Sequence, residues 1–193
     1  MQGRKLIVVA GIPGAGKSSI LDRLGHSDQA TVVNVGNLMK GISDSSGARI
    51  DRDKIRYLPT AKIDRLRSLA FRKIAGMKGR VLVDTHLIIE HEGTFVPGLP
   101  MDSLGALGGI DGIIYIDAEP KELLTRRKKD KGRKREDEGL ESMELQRNIN
   151  LSMLALYSAH LNIPFHIIHN KEGRLEEAVA SFRKALTYID PAR

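Results

Sequence analysis

The sequence predicts an α/β fold in which a doubly wound parallel sheet carries helices on both faces, and three observations predict it. Short runs rich in valine and isoleucine recur at residues 6–10, 31–35, 81–84, 113–116 and 165–168. Helical patterns lie between them: Ile63, Leu66, Ala70, Ile74 and Met77 recur every three to four residues, and so do Leu175, Ala178, Val179, Phe182, Ala185, Leu186 and Ile189. Strands buried on both faces and separated by helices require parallel pairing with right-handed crossovers, and such sheets bind their ligands at the strands' carboxyl ends.

The chain of 193 residues suits a single domain spanning 1–193. Hydrophobic residues make up 41% and aromatics only 4%, a composition that can fill a core but offers little for stacking the bases of single-stranded nucleic acid. Without cysteine there is neither a disulfide nor a cysteine-ligated zinc, which fits a reducing, cytoplasmic setting. The apolar run at 6–10 is far too short for a signal-peptide core or a membrane span, so no membrane partner is expected. The net charge of +7 is concentrated between Arg126 and Arg135, where eight cationic residues face the single acid Asp130. Two segments break the strand–helix rhythm and read as mobile inserts, one through Ser43–Ser46 into 49–56 and one at 126–139. The helical stretch 140–161 is apolar on more than one side, as expected of a helix buried in the core or at a subunit contact.

Immediately after the first strand comes Gly11-Ile12-Pro13-Gly14-Ala15-Gly16-Lys17-Ser18, the G-x-x-x-x-G-K-[ST] pattern of a phosphate-binding P-loop opening a helix. Glycines let backbone N–H groups turn toward phosphates, and the helix N-terminus adds partial positive charge. Residues Gly11, Ile12, Pro13, Gly14, Ala15, Gly16, Lys17, Ser18 and Ser19 are the expected ATP contacts, with Lys17 reaching the β/γ-phosphates and Ser18 placed to ligate Mg²⁺. A second ligand for Mg²⁺ or its waters should end a neighbouring strand, and Asp84 in Val83-Asp84-Thr85-His86 fits better than Asp117, which reads as the start of a helix. His86 reads either as a phosphate or substrate contact or as a hydrogen-bonded structural residue.

Guanine recognition needs an Asn-Lys-x-Asp tetrad, and Asn170-Lys171-Glu172-Gly173 lacks the aspartate. That loop is either a set of backbone contacts to adenine or a turn into the last helix. Transfer between two nucleotides accumulates phosphate charge that arginines must offset. Arg52 and Arg56 share a helix face in the first insert, and Arg126, Arg127, Arg133 and Arg135 lie in or beside the second.

Taken in order, Gly11-Ile12-Pro13-Gly14, Arg52-Asp53-Lys54-Ile55-Arg56, Val83-Asp84-Thr85-His86, Pro97-Gly98-Leu99-Pro100 and Arg126-Arg127 followed by Arg133 and Arg135 resemble the archaeal-type adenylate kinases over nearly the whole chain. The resemblance implies a P-loop NTPase-type core of five parallel strands, an AMP-binding insert at about 36–60 and a short lid at about 127–139. It implies that Arg56 holds the AMP phosphate, that Gly98 and Pro100 border the AMP site, and that Lys17, Arg126 and Arg135 are catalytic. It implies ATP and AMP as substrates, Mg²⁺ as cofactor, and a homo-oligomer, with trimers frequent in the family. One departure stands out. Where relatives carry His-Gln-x-x-Asn-Arg, this chain reads Leu145-Gln146-Arg147-Asn148-Ile149-Asn150-Leu151, so either Arg147 replaces the usual arginine one turn away or the role is lost. Two alternatives remain beside an adenylate kinase: a P-loop kinase for another nucleoside monophosphate, and an RNA-associated ATPase that uses the basic run on phosphate backbone, although nucleic acid is not expected as the main partner.

Overall fold

The computed structural model describes residues 4–24, 29–48, 50–91, 93–129 and 139–191; the side chains of residues 52, 53, 56, 91 and 129 lie outside that description. Five parallel strands form the central sheet in the order β2-β3-β1-β6-β7: β1 (Lys5–Ala10), β2 (Ala30–Asn34), β3 (Arg80–Asp84), β6 (Gly112–Asp117) and β7 (Phe165–His169). The chain leaves β1 toward one edge to form β2 and β3, then crosses to the other side for β6 and β7. The loop after β1 therefore emerges in the middle of the sheet, flanked by the ends of β3 and β6.

Alternation along the buried strands divides the core in two. Leu6, Val8, Val81, Val83, Ile113 and Tyr115 face one way, against α2 (Val35–Ser45), α3 (Thr60–Ala75) and the later turns of α5 (Leu140–Leu161). Ile7, Val9, Leu82, Ile114 and Ile116 face the other way, against α1 (Lys17–Arg23), α6 (Leu175–Ile189), α4 (Pro120–Lys129) and Met143 of α5. Each fully buried Val, Ile or Leu contributes about 1.5–3 kcal/mol of transfer free energy, and β1, with Leu6 to Ala10 buried on both faces, is the centre of that core. Among the described residues no helix is long and apolar enough to cross a membrane.

The expected strands and the helices at 63–77, 140–161 and 175–189 are present, with small shifts at their ends. Val35, expected to close the second strand, instead opens α2, because the Asn34 side chain accepts the Asn37 N–H at 2.9 Å and caps the helix. Asp117, expected to start a helix, is the last residue of β6; α4 begins at Pro120, whose missing N–H costs nothing in a first helical turn. Three elements carried no sequence expectation: α2, which runs through Ser43 and Ser45 where the sequence reads as an insert, the antiparallel hairpin of β4 (Ile88–His91) and β5 (Thr94–Pro97), and a 3₁₀ turn at Met101–Leu107. In the first insert, a 3₁₀ turn at Arg52–Tyr57 follows α2. Residues 130–138, which include Arg133 and Arg135, lie outside the described residues.

The amino ends of the strands are closed by charged side chains. Arg4 donates to the carbonyls of Ala75, Leu107, Gly108 and Gly109 at 2.6–3.2 Å, joining the end of α3 to the turn before β6. Lys5 meets Asp111 at 3.0 Å, and Arg80 meets Asp190 at 2.8 Å. Arg4→Met should lower the unfolding free energy in urea by about 2 kcal/mol, since it strips several charge-assisted bonds from half-buried carbonyls, while nucleotide binding at the far end of the sheet stays unchanged.

Candidate active site

Gly16 sits at φ +91° as the residue before α1, and a Cβ there would lie 2.2 Å from the Asn170 amide nitrogen. Glycine is thus required on both counts: the backbone is left-handed and the space is taken. The loop it ends carries Lys17 into the interior, 8% exposed. The Lys17 Nζ donates to the Gly11 carbonyl at 2.9 Å and lies 4.0 Å from Asp84 Oδ1. Register explains the meeting, because β1 pairs Val9 with Asp84, so the carboxylate ends its strand beside the start of the loop.

Asp84 is 7% exposed, and its Oδ2 accepts the Asn34 amide at 2.6 Å, Asn34 being its partner in β2. Its Oδ1 is buried without a hydrogen bond. A carboxylate with one oxygen short of donors, on a residue that lines a cavity, is suited to a hydrated divalent cation, and the exposed Ser18 lines the same cavity. No cluster of three or more His, Cys, Asp or Glu among the described residues could hold a metal alone. Mg²⁺ completed by substrate phosphates and water needs only one or two protein groups, so the residues present fit that ion.

His86 Nδ1 lies 2.8 Å from the Gly11 carbonyl. A carbonyl only accepts, so Nδ1 carries the proton, and its 3.5 Å approach to Lys17 is not a hydrogen bond between them. His86 therefore braces the loop and at the same time lines the cavity.

The cavity, of about 600 Å³, runs from the loop to the Asn170–Gly173 turn. Pro13, Gly14, Gly16, Lys17, Ser18, Ser19, Asp84 and Arg126 all line it, while Gly11, Ile12 and Ala15 support it from the buried side. Arg126 lies along one wall: Nη2 donates to the Asn170 carbonyl at 2.8 Å, Nη1 to Ala15 at 3.4 Å, and Nε to Glu172 at 3.1 Å. Arg127 Nε donates to the Pro13 carbonyl at 3.0 Å. Both arginines thus rest on main-chain oxygens of the loop or its neighbour.

Other expected residues lie apart. Gly98 and Pro100 do not line the cavity: Gly98 is packed against His86, its N–H donating to Leu87 at 2.9 Å and a Cβ on it falling 2.3 Å from the His86 carbonyl oxygen, and Pro100 precedes the 3₁₀ turn. Between them, the Leu99 carbonyl accepts the buried Tyr157 hydroxyl. The Arg56 backbone is in the 3₁₀ turn, its side chain outside the description, and Arg135 is outside it altogether. Asp117 does not begin a helix; its carboxylate, 1% exposed, is held by Arg147. Arg147 is correspondingly spent on Asp117, and the protonated guanidinium is stabilised chiefly by that hydrogen bond. Sequence reading missed Asn34 and the anchoring of Asn170 to Ala15 at 2.8 Å. Both are asparagines at strand ends whose partners lie far along the chain, so no local pattern marks them.

The AAA domain family model matches residues 10–144. Among solved structures, a shikimate kinase from Bacteroides thetaiotaomicron superposes with a TM-score of 0.59 at 13% identity, covering 94% of this chain and 98% of its own. The Thermus thermophilus protein TT1252 does so with the same score at 14% identity, covering 99% and 100%. Those likenesses show the fold alone. The loop with Lys17 and Asp84 on this fold defines the class, a P-loop protein. The adenylate kinase of Methanothermobacter thermautotrophicus is 31% identical over 94% of this chain and 99% of its own length. That of Methanopyrus kandleri is 35% identical over 92% and 95%. The chain belongs to the adenylate kinase family.

Gly16→Ala should bind ATP at least about tenfold more weakly in calorimetry, because the new methyl forces Asn170 off Ala15 as well as straining the loop. At Tyr157, burial pushes the phenol up to about 12, against a smaller opposing effect of Arg67. The raised value means that the un-ionised phenol favours the fold. This contribution is complete below about pH 10 and is lost as pH rises through about 12. Absorbance at 295 nm should show two phenols ionising together with alkaline unfolding, because burial also pushes the Tyr115 phenol up, and Tyr157→Phe should halve that step.

Proposed function

We propose that the chain catalyses reversible phosphoryl transfer from ATP to AMP, giving two ADP, as a cytoplasmic Mg²⁺-dependent enzyme. The observation that carries the reading is the Lys17–Asp84 pair beneath a P-loop, at the floor of a cavity large enough for a nucleotide, in a member of this family. The reaction breaks the bond from the γ-phosphorus to its bridging oxygen as an AMP phosphate oxygen attacks in line, and no covalent enzyme intermediate is needed.

The loop N–H groups and the start of α1 receive the β- and γ-phosphates, and the Lys17 amine exchanges the Gly11 carbonyl for phosphate oxygen. Ser18 and Asp84 Oδ1 would hold Mg²⁺ or its waters, and the ion, when bound, supplies neutralisation of phosphate charge. Arg126 and Arg135 offset charge on the group in transit, Arg126 from its place on the cavity wall. Ile12, Pro13, Gly14, Ala15 and Ser19 complete the ATP contacts with Gly11 and Gly16. Arg56 binds the AMP phosphate, and Gly98 and Pro100 border its nucleoside. Residues 36–60 and 127–139 act as the acceptor insert and the lid. Leu145 and Leu156, 51% and 52% exposed and about three turns apart on α5, support a homo-oligomer, which we take to be a trimer by family likeness.

The test is ADP formation from ATP with AMP, CMP, UMP or GMP as acceptor. AMP should be the preferred acceptor; preference for another base redirects the reading to that monophosphate, and ATP hydrolysis without acceptor phosphorylation overturns it. Lys17→Ala should lower turnover by about a thousandfold with an unchanged far-ultraviolet dichroism spectrum.

A further inference from the structure

Arg147 lies outside the cavity, yet a continuous series of short contacts joins it to the loop. Its Nε donates to Asp117 Oδ1 at 2.8 Å and its Nη2 to Oδ2 at 2.6 Å, a two-pronged fork. Glu119 stands 3.6 Å from the same Nη2, and the His169 ring nitrogen lies 3.1 Å from Oδ2. The Asp117 carbonyl accepts the Asn170 N–H at 2.8 Å. Asn170, itself 6% exposed, donates its side-chain amide to Ala15 and offers its carbonyl to Arg126, each at 2.8 Å. Four elements are therefore fixed to one another: α5, the end of β6, the turn after β7 and the phosphate loop.

The alternative role for this helix, an arginine touching phosphate, is not filled at Asn150 itself. That residue is 2% exposed and fully engaged, its Oδ1 accepting the Ile88 N–H at 3.3 Å and its amide donating to Gln146 at 2.9 Å. Arg147, one turn earlier, has both prongs of its fork on Asp117. An exposed ion pair would do little, but a fork onto a carboxylate 1% exposed fixes orientation, since Asp117 cannot turn without leaving a charge unpaired.

We propose that Arg147 is a positioning residue of the ATP site, acting through Asp117 and Asn170 on the Gly11–Ser18 loop without touching phosphate. The proposal rests on the reading of the cavity as the ATP site. It makes α5, the helix that follows the basic segment, part of the mechanism that holds the loop in its phosphate-binding shape.

The experiment measures ATP binding by calorimetry with Mg²⁺ and no AMP, and separately the KM for ATP and for AMP, in wild type, Arg147→Lys, Arg147→Met and the double variant Asp117→Asn/Arg147→Met. Arg147→Met should weaken ATP binding and raise the KM for ATP by about three- to thirtyfold while the KM for AMP stays within about twofold. Arg147→Lys, which keeps the charge but not the fork, should recover part of the loss. The double variant leaves no buried carboxylate unpaired, so it is read by the same criteria if Arg147→Met fails to fold. Unchanged ATP binding beside a lowered melting temperature would reduce Arg147 to a structural brace and overturn the proposal. A rise in the KM for AMP instead would make it an acceptor-phosphate ligand and overturn it equally. ATP binding is read without turnover, so a wild type that binds ATP but leaves AMP unphosphorylated defeats the proposed reaction and not this inference.

Discussion

An amine and a carboxylate, both about nine-tenths buried, face each other across 4.0 Å at the centre of the sheet's carboxyl edge. Neither Lys17 nor Asp84 is there because the pair stabilises the fold, since withdrawing two charges from water costs about as much as their attraction returns. They are held by everything around them. Parallel pairing of β1 with β3 sets Asp84 against Val9, the Asn34 amide fixes one carboxylate oxygen, and the Gly11 carbonyl holds the amine back from the other. One oxygen is left buried without a donor, and the site's chemistry grows from that deficit.

The scaffold tolerates such a site because its stability is generated elsewhere. Apolar layers on both faces of β1 supply the cohesion, and the amino ends of the strands are tied by Arg4, by Lys5 with Asp111, and by Arg80 with Asp190. The carboxyl ends hold the buried polar groups that a folding chain would avoid if packing alone mattered. Structural ties and chemistry thus occupy opposite ends of the same strands, which lets the loop keep left-handed backbone at Gly14 and Gly16 without weakening the core.

What the sequence revealed and what it hid follow from the range of the interactions. β1, the phosphate loop, α5 and α6 are legible because their signals are local: an apolar run, glycines before Lys17-Ser18, and long helical periodicity. The β4–β5 hairpin is hidden because its four-residue strands are too short to display alternation, and its turn rests on one glycine whose N–H reaches the Glu90 side chain. Asp117 misleads because an acid before Ala-Glu-Pro resembles a helix start, whereas its partner Arg147 lies 30 residues on. Asn34 and Asn170 are silent for the same reason; each acquires its role only when the sheet brings a distant strand end beside it.

The proposed transfer needs one continuous site that takes two nucleotides, with the cavity beside the phosphate loop as the half that receives ATP. Binding of a bisubstrate mimic, two adenosines joined through their 5′ carbons by a pentaphosphate chain, tests it most directly. One mimic should bind per chain, be displaced by ATP and by AMP added separately, and lose affinity in Lys17→Ala. Displacement by ATP alone would show a nucleotide cradle without an acceptor site and would contradict transfer to AMP.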